Sequence, residues 1–111
     1  MPAFLRKEVD AVIIVLQGRM AMGEVEEFRT KWVEAMETGS KRLIIDLTKV
    51  TMMDSSGIGT MIRCHSAVKA AGGTIRVVGA NSTVRQAFKV TRLDKVFAFY
   101  DDEASALAAG A

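Results

Sequence analysis

Short apolar runs of strand length alternate along this chain with stretches whose apolar residues recur at helical spacing. That alternation limits the fold more than any other feature. "FLRKEV" and "VIIVLQG" read as two strands, joined by a tight turn at Val9-Asp10-Ala11. After Gly18 the period changes: Val25, Phe28, Trp32, Ala35 and Met36 recur at helical spacing, Glu24, Glu26 and Glu27 suit the helix N-terminus, and Gly39 suits its stop. "RLIID" is apolar enough for a strand buried on both faces. A helix opening near Ser56 then places Ile58, Met61, Ile62, His65 and Val68 on one face and ends at Gly72-Gly73. "TIRVVG", a helix capped at Asn81-Ser82 with Val84, Ala87, Phe88 and Thr91 on its face, "KVFAFY", and a last helix after Asp101-Asp102 complete the series. Strands alternating with helices predict an α/β fold with a largely parallel sheet. The opening pair has only a tight turn between its strands and is therefore antiparallel. The expectation is a single domain over residues 1–111: a mixed, mostly parallel sheet of about five strands packed with about four helices. The small-residue tail from about residue 108 is expected to fray.

A chain of 111 residues, 50% hydrophobic and 25% charged, can bury one core and is too apolar for disorder. A net charge of +2 is too mild to argue for direct nucleic-acid binding. The longest apolar run, "AVIIVL", is far too short for a membrane span, and Met1–Asp10 carries charge where a signal peptide needs an apolar segment. The single cysteine, Cys64, excludes an intrachain disulfide framework. These features predict a cytoplasmic protein with no membrane contact.

"VTMMDSSGIGTMI", beginning at Val50, is the stretch with chemical interest. An aspartate, two serines and two glycines stand between apolar runs. Capping explains one of the polar residues, not three, since a single side chain suffices to satisfy the first free N–H groups. Gly57 and Gly59 each cost helix propensity on the order of 1 kcal/mol relative to alanine. Their expected use is bareness, so that a partner approaches the backbone closely. The loop also follows a strand, at the carboxyl end where open α/β sheets place their sites. Counting back from Ile58 puts Ser56 at or next to the N-cap, with its hydroxyl on the first-turn N–H groups. Ser55 then falls outside the helix.

Self-contained catalysis lacks its parts. A dinucleotide fingerprint needs glycine where Ile62 stands, a Walker loop needs Gly-Lys-Ser/Thr, and a nucleophile elbow needs glycine where Asp54 stands. The only histidine, His65, is nine to ten residues along the helix from the serines, roughly 14 Å away. Cys64 and His65 are adjacent and diverge by about 100°, so they form no metal pair. No catalytic residue, metal ligand set or cofactor is expected.

The motif "DLTKVTMMDSSGIGTMI", followed downstream by "GGTIRVVGANSTVRQAF", resembles the STAS domain family, whose small bacterial members are anti-sigma-factor antagonists. The likeness covers nearly the whole chain. It implies that Ser55 is a phosphoacceptor. Asp54, Ser55, Ser56, Gly57 and Gly59 are expected to form a partner-binding surface, and Asp46, at the strand end, is either part of it or a loop hydrogen-bond acceptor. The implied partners are an anti-sigma serine kinase with a histidine-kinase-like ATPase fold and a metal-dependent serine phosphatase. A homodimer is left open. An alternative within the family is a constitutive subunit of a lipid-transport or signalling assembly, in which Ser55 only caps. One departure concerns the partner surface near the first helix: Ala21 stands about where members often carry an aspartate.

Other residues have plainer readings. Cys64 reads as an inert buried thiol, His65 as an edge residue, and Trp32 as core or partner contact. Arg85, Lys89 and Arg92 form a basic stripe on the third helix, either a solvated face or a contact for an acidic partner.

Overall fold

The computed structural model describes residues 1–109. Its elements are β1 (Ala3–Lys7), β2 (Val12–Met20), α1 (Glu26–Glu37), β3 (Arg42–Met53), α2 (Ser55–Ala70), β4 (Thr74–Val78), α3 (Ser82–Val90), a 3-10 turn (Leu93–Lys95), β5 (Ala98–Tyr100) and α4 (Glu103–Ala108). Of the tail expected to fray, Ala108 is still helical; residues 110 and 111 lie outside the described residues.

The strands stand side by side in chain order, β1-β2-β3-β4-β5. β1 runs antiparallel to β2, and every later neighbour is parallel. The expected mixed sheet of five strands with four helices is therefore found. Successive right-handed crossovers that always step in one direction put their helices on one face. The main core has that composition: Phe28 and Trp32 of α1, Met61 and Cys64 of α2, and Val84 and Phe88 of α3 meet Ile14, Leu16, Ile45 and Leu47 of the sheet. Trp32 is thus a core residue, edge-on to Phe28 at 5.0 Å. The opposite face carries a smaller cluster of Ile13, Ile44, Val78 and Ala106, covered by the short α4.

Several boundaries differ from the sequence expectation. β1 stops at Lys7, and the turn closes with Glu8 N–H donating to the Ala11 carbonyl at 2.8 Å. β5 keeps only Ala98–Tyr100, because the first residues of "KVFAFY" complete a 3-10 turn entered through Arg92 at φ 62°. α3 ends at Val90, so Arg92 lies beyond the helix and the basic stripe is shorter than its spacing suggested. Arg85 rests over the Phe99 ring at 5.0 Å. Ile62, expected on the buried face of α2, is 43% exposed, whereas Thr60 and Cys64 are buried.

Candidate functional site

β3 is much longer than "RLIID". Its last seven residues, through Met53, stay paired with β2 across two register shifts, between Val15 and Gln17 and between Gly18 and Arg19. A single residue, Asp54, therefore separates the strand from α2. Its backbone N–H donates to the Met20 carbonyl at 3.1 Å, which ties the end of β3 to the end of β2.

Asp54 is the N-cap of α2. Oδ1 accepts from Ser56 N–H at 2.8 Å and Gly57 N–H at 3.2 Å, and Oδ2 accepts from Met22 N–H at 3.3 Å. The carboxylate thus serves two segments, the first turn of α2 and the loop before α1. Burial of this carboxyl acts to raise its pKa, but the N–H groups of Gly57, Met22 and Ser56 outweigh it and hold the pKa below the usual carboxylate value. Arg19, paired with Glu24 at 2.6 Å, holds its proton more tightly because of that hydrogen bond and charge, with Asp54 adding a smaller share.

Ser56 was expected to be the cap and is not. An aspartate competes equally well for the N-cap and adds a negative charge at the positive helix end. It starts the helix one residue earlier than the apolar face suggests. Ser55 is consequently the first helical residue rather than a residue outside the helix. Ser55 is exposed, and among the described residues its hydroxyl has no hydrogen-bond partner. Ser56 is half-buried; its carbonyl accepts from Thr60 Oγ1 at 2.8 Å.

The two glycines have different roles. A Cβ on Gly57 would stand 2.7 Å from Met53 Cγ and 2.8 Å from Met20 Cβ, and closer still to the Met20 carbonyl oxygen. Gly57 is buried and lets α2 sit down on β2, so its bareness faces inward. Gly59 has open space about its Cα, with only Arg63 Nη1 near, 3.5 Å from a notional Cβ. Gly59 alone leaves backbone bare toward solvent.

Asp46 lies apart from these residues. It pairs in register with Val15 and Val78, and alternation along β3 puts its side chain on the face of Ile44, under α4, while α2 packs on the other. Its Oδ1 accepts from Thr48 N–H at 2.9 Å and Thr48 Oγ1 at 2.5 Å. Burial pushes its pKa up, yet the hydrogen bond from Glu103, those from Thr48 and the charge of Arg6 bring it below the ordinary value. Glu103 is pushed up, first by that same hydrogen bond, and it also accepts from Arg6. Asp46, Glu103 and Arg6 are thus a cluster that seats α4. Glu103 lies 57 positions from Asp46, and no local spacing announces the contact.

The site offers a free hydroxyl, a helix N-terminus and a bare glycine, and the carboxylate beside them, Asp54, is occupied by three backbone N–H groups. His65 packs edge-on to Phe97 at 5.1 Å, its pKa lowered by burial and then by Lys69. Cys64 is fully buried, which pushes its thiol up to about 12. Among the described residues, no group of three or more His, Cys, Asp or Glu gathers to hold a metal, and no helix is long and apolar enough to cross a membrane. The sequence reading passed over Met22, tied to the cap, and Arg63, which lies i+4 from Gly59 and was legible by that spacing.

The family model for the STAS domain matches residues 4–106. This chain belongs to the STAS domain family. A Thermotoga neapolitana relative, provisionally described as an anti-sigma factor antagonist, is 27% identical to it over 106 residues, 94% of each chain. An anti-sigma factor antagonist from Mycobacterium paratuberculosis superposes with a TM-score of 0.87 at 20% identity, over 97% of this chain and 92% of its own. The anti-sigma factor antagonist SpoIIAA, solved in an unphosphorylated form, gives 0.71 at 23% identity, over 94% and 92%. Its phosphorylated form, described as a Bacillus cell fate determinant, gives 0.71 at 24%, over 94% and 96%. The shared STAS fold places Asp54-Ser55-Ser56-Gly57 at the junction of β3 and α2.

Proposed function

We propose that this STAS domain is an anti-sigma factor antagonist, a non-enzymatic protein-binding switch set by phosphorylation of Ser55. The observation that carries the reading is the division of labour at the head of α2. Asp54 does the capping, so the exposed Ser55 hydroxyl has no structural duty and is available to an incoming active site. Unphosphorylated, the domain occupies an anti-sigma serine kinase with a histidine-kinase-like ATPase fold and so frees a sigma factor for transcription in the cytoplasm. Ser55, Ser56, Gly59 and the capped loop at Asp54 form the contact, with Gly57 shaping it from behind. Asp46 contributes only by seating α4.

In the kinase complex, Ser55 Oγ attacks the γ-phosphorus of a nucleoside triphosphate. The bond to the β,γ-bridging oxygen breaks, the nucleoside diphosphate leaves, and the hydroxyl proton passes to a base of the kinase. The product carries about −1.5 to −2 charge beside Asp54, and repulsion plus desolvation expel it from a packed interface. A metal-dependent serine phosphatase resets it by hydrolysis.

Calorimetric titration against the cognate anti-sigma kinase tests this. Ser55→Ala keeps the unphosphorylated affinity and takes up no phosphate, while Ser55→Asp binds far more weakly. Equal affinities for the two variants would instead assign the domain to a constitutive subunit of a lipid-transport or signalling assembly.

A further inference from the structure

Arg63 stands two turns along α2 from Ser55. Its side chain runs back toward the helix N-terminus, the direction that helical side chains favour. Nη2 donates to Thr60 Oγ1 at 3.0 Å, and Nη1 comes within 3.5 Å of the point where a Cβ on Gly59 would stand. The guanidinium therefore lies over the bare backbone of Gly59. Gly59 is i+4 to Ser55, a spacing at which side-chain positions are neighbours, about 5–6 Å apart. A cation thus sits one turn from the exposed hydroxyl and on the same side of the helix. Among the described residues Arg63 forms no ion pair, and its one hydrogen bond goes to a neutral hydroxyl.

We propose that Arg63 is the internal receptor for a phosphate on Ser55, with Gly59 leaving the floor between them clear. This deepens the reading of Ser55 as phosphoacceptor and rests on it. As the first residue of α2, Ser55 has no preceding turn to block the rotamer directed at Gly59, and a phosphoserine there presents three strong acceptor oxygens. The planar guanidinium fork matches two of them and is an arrangement that lysine lacks. On phosphorylation the guanidinium exchanges the Thr60 hydroxyl for the phosphate. The resulting pair covers Gly59, where no side chain shields the backbone. Docking is then blocked by an occupied surface as well as by charge. The other charged groups at this corner are the Asp54 carboxylate on the cap and the Arg19–Glu24 pair from the end of β2 and the loop before α1. Arg19 is already matched by Glu24, and Asp54 opposes the phosphate, so Arg63 is the cation left to receive it.

The test uses the full chain with phosphoserine placed at position 55 during translation by stop-codon suppression, so no kinase is needed. Phosphorus NMR across pH reads the second phosphate pKa directly. With Arg63 present it lies below that of Arg63→Gln by about 0.3–0.7 pH unit at low salt, the span an exposed pair supports. Arg63→Lys keeps part of the shift, and added salt shrinks it. The helix N-terminus and Asp54 act equally on both chains and cancel in the difference. Identical values in the two chains overturn the proposal. Whether any kinase modifies Ser55 is read separately, from the mass of the native protein, and leaves this result unchanged.

Discussion

Gly57 rests directly on Met20: a methyl group at this position would push into the Met20 carbonyl and side chain and against Met53. Both partners belong to paired strand ends, which cannot retreat without breaking the β2–β3 ladder. Gly57→Ala is therefore expected to destabilise the domain by about 1–3 kcal/mol despite its better helix propensity, the cost of overpacking a fitted site. Gly59→Ala has space and is expected to stabilise by roughly 0.5–1 kcal/mol. Urea unfolding of the two variants checks the contrast, and equal shifts would contradict it.

Asp54→Ala is expected to lower the melting temperature clearly, while Ser56→Ala leaves it nearly unchanged, since the cap bonds belong to Asp54. The folded-state pKa of Asp54 is depressed, so its contribution is complete above the unfolded value near 3.8 and is lost as pH falls below that value through the folded one. The melting difference between wild type and Asp54→Asn should accordingly be steady from pH 7 to 5 and shrink below about pH 4. A difference that persists at lower pH would show that the carboxylate is not the acceptor.

The pKa values of Asp46 and Glu103 are shifted in opposite directions. Glu103 has a raised folded pKa, so its share of stability is present at low pH and fades as pH rises through that value, above 4.5. Asp46 has a lowered one and supplies stability at higher pH. Glu103→Gln keeps a permanent donor to Asp46 and removes the titration. Thermal melts of this variant should gain on wild type as pH rises from 4 toward 6, and a parallel pH dependence would contradict the shared hydrogen bond.

Cys64 should resist alkylation in the native protein at pH 8, because its thiol is buried and titrates only near 12. Maleimide labelling monitored by intact mass should proceed only with unfolding, at the rate of global opening. Rapid native labelling would mean that α2 detaches from the sheet.

The change from strand period to helical period was legible throughout, since it depends only on the residues that face the core. Two boundaries were not. Polar Thr48 and Lys49 interrupt the apolar pattern of β3, and only pairing across the register shifts with β2 carries the strand on to Met53. In "KVFAFY" an apolar run alone could not separate a strand from the 3-10 turn that consumes its first residue. At the site, Asp54 and Ser56 have similar capping preference, so the choice required the second contact from Met22. The inward bareness of Gly57 and the outward bareness of Gly59 look alike in sequence, because what each meets comes from a different strand. Of the two uses the sequence left open for Asp46, it is the local acceptor, for Thr48; strand parity sends it to the face away from α2 and so away from Ser55.

Arg6 of the first strand and Glu103 of the last helix hold each other on the sheet face away from α2. The domain is therefore closed on itself like a clasp, with its head and tail elements side by side and the serine on the far side. A chain re-cut so that α4, whose end lies at Arg42 and Asp10, runs through a tether as long as β1 back to Ala3, with new ends opened in the exposed Gly72 turn, keeps every contact of the Ser55 corner. The same arrangement would send flanking segments off opposite faces: the head enters beside Glu27 of α1, on the face of the main core, while α4 leaves from the other.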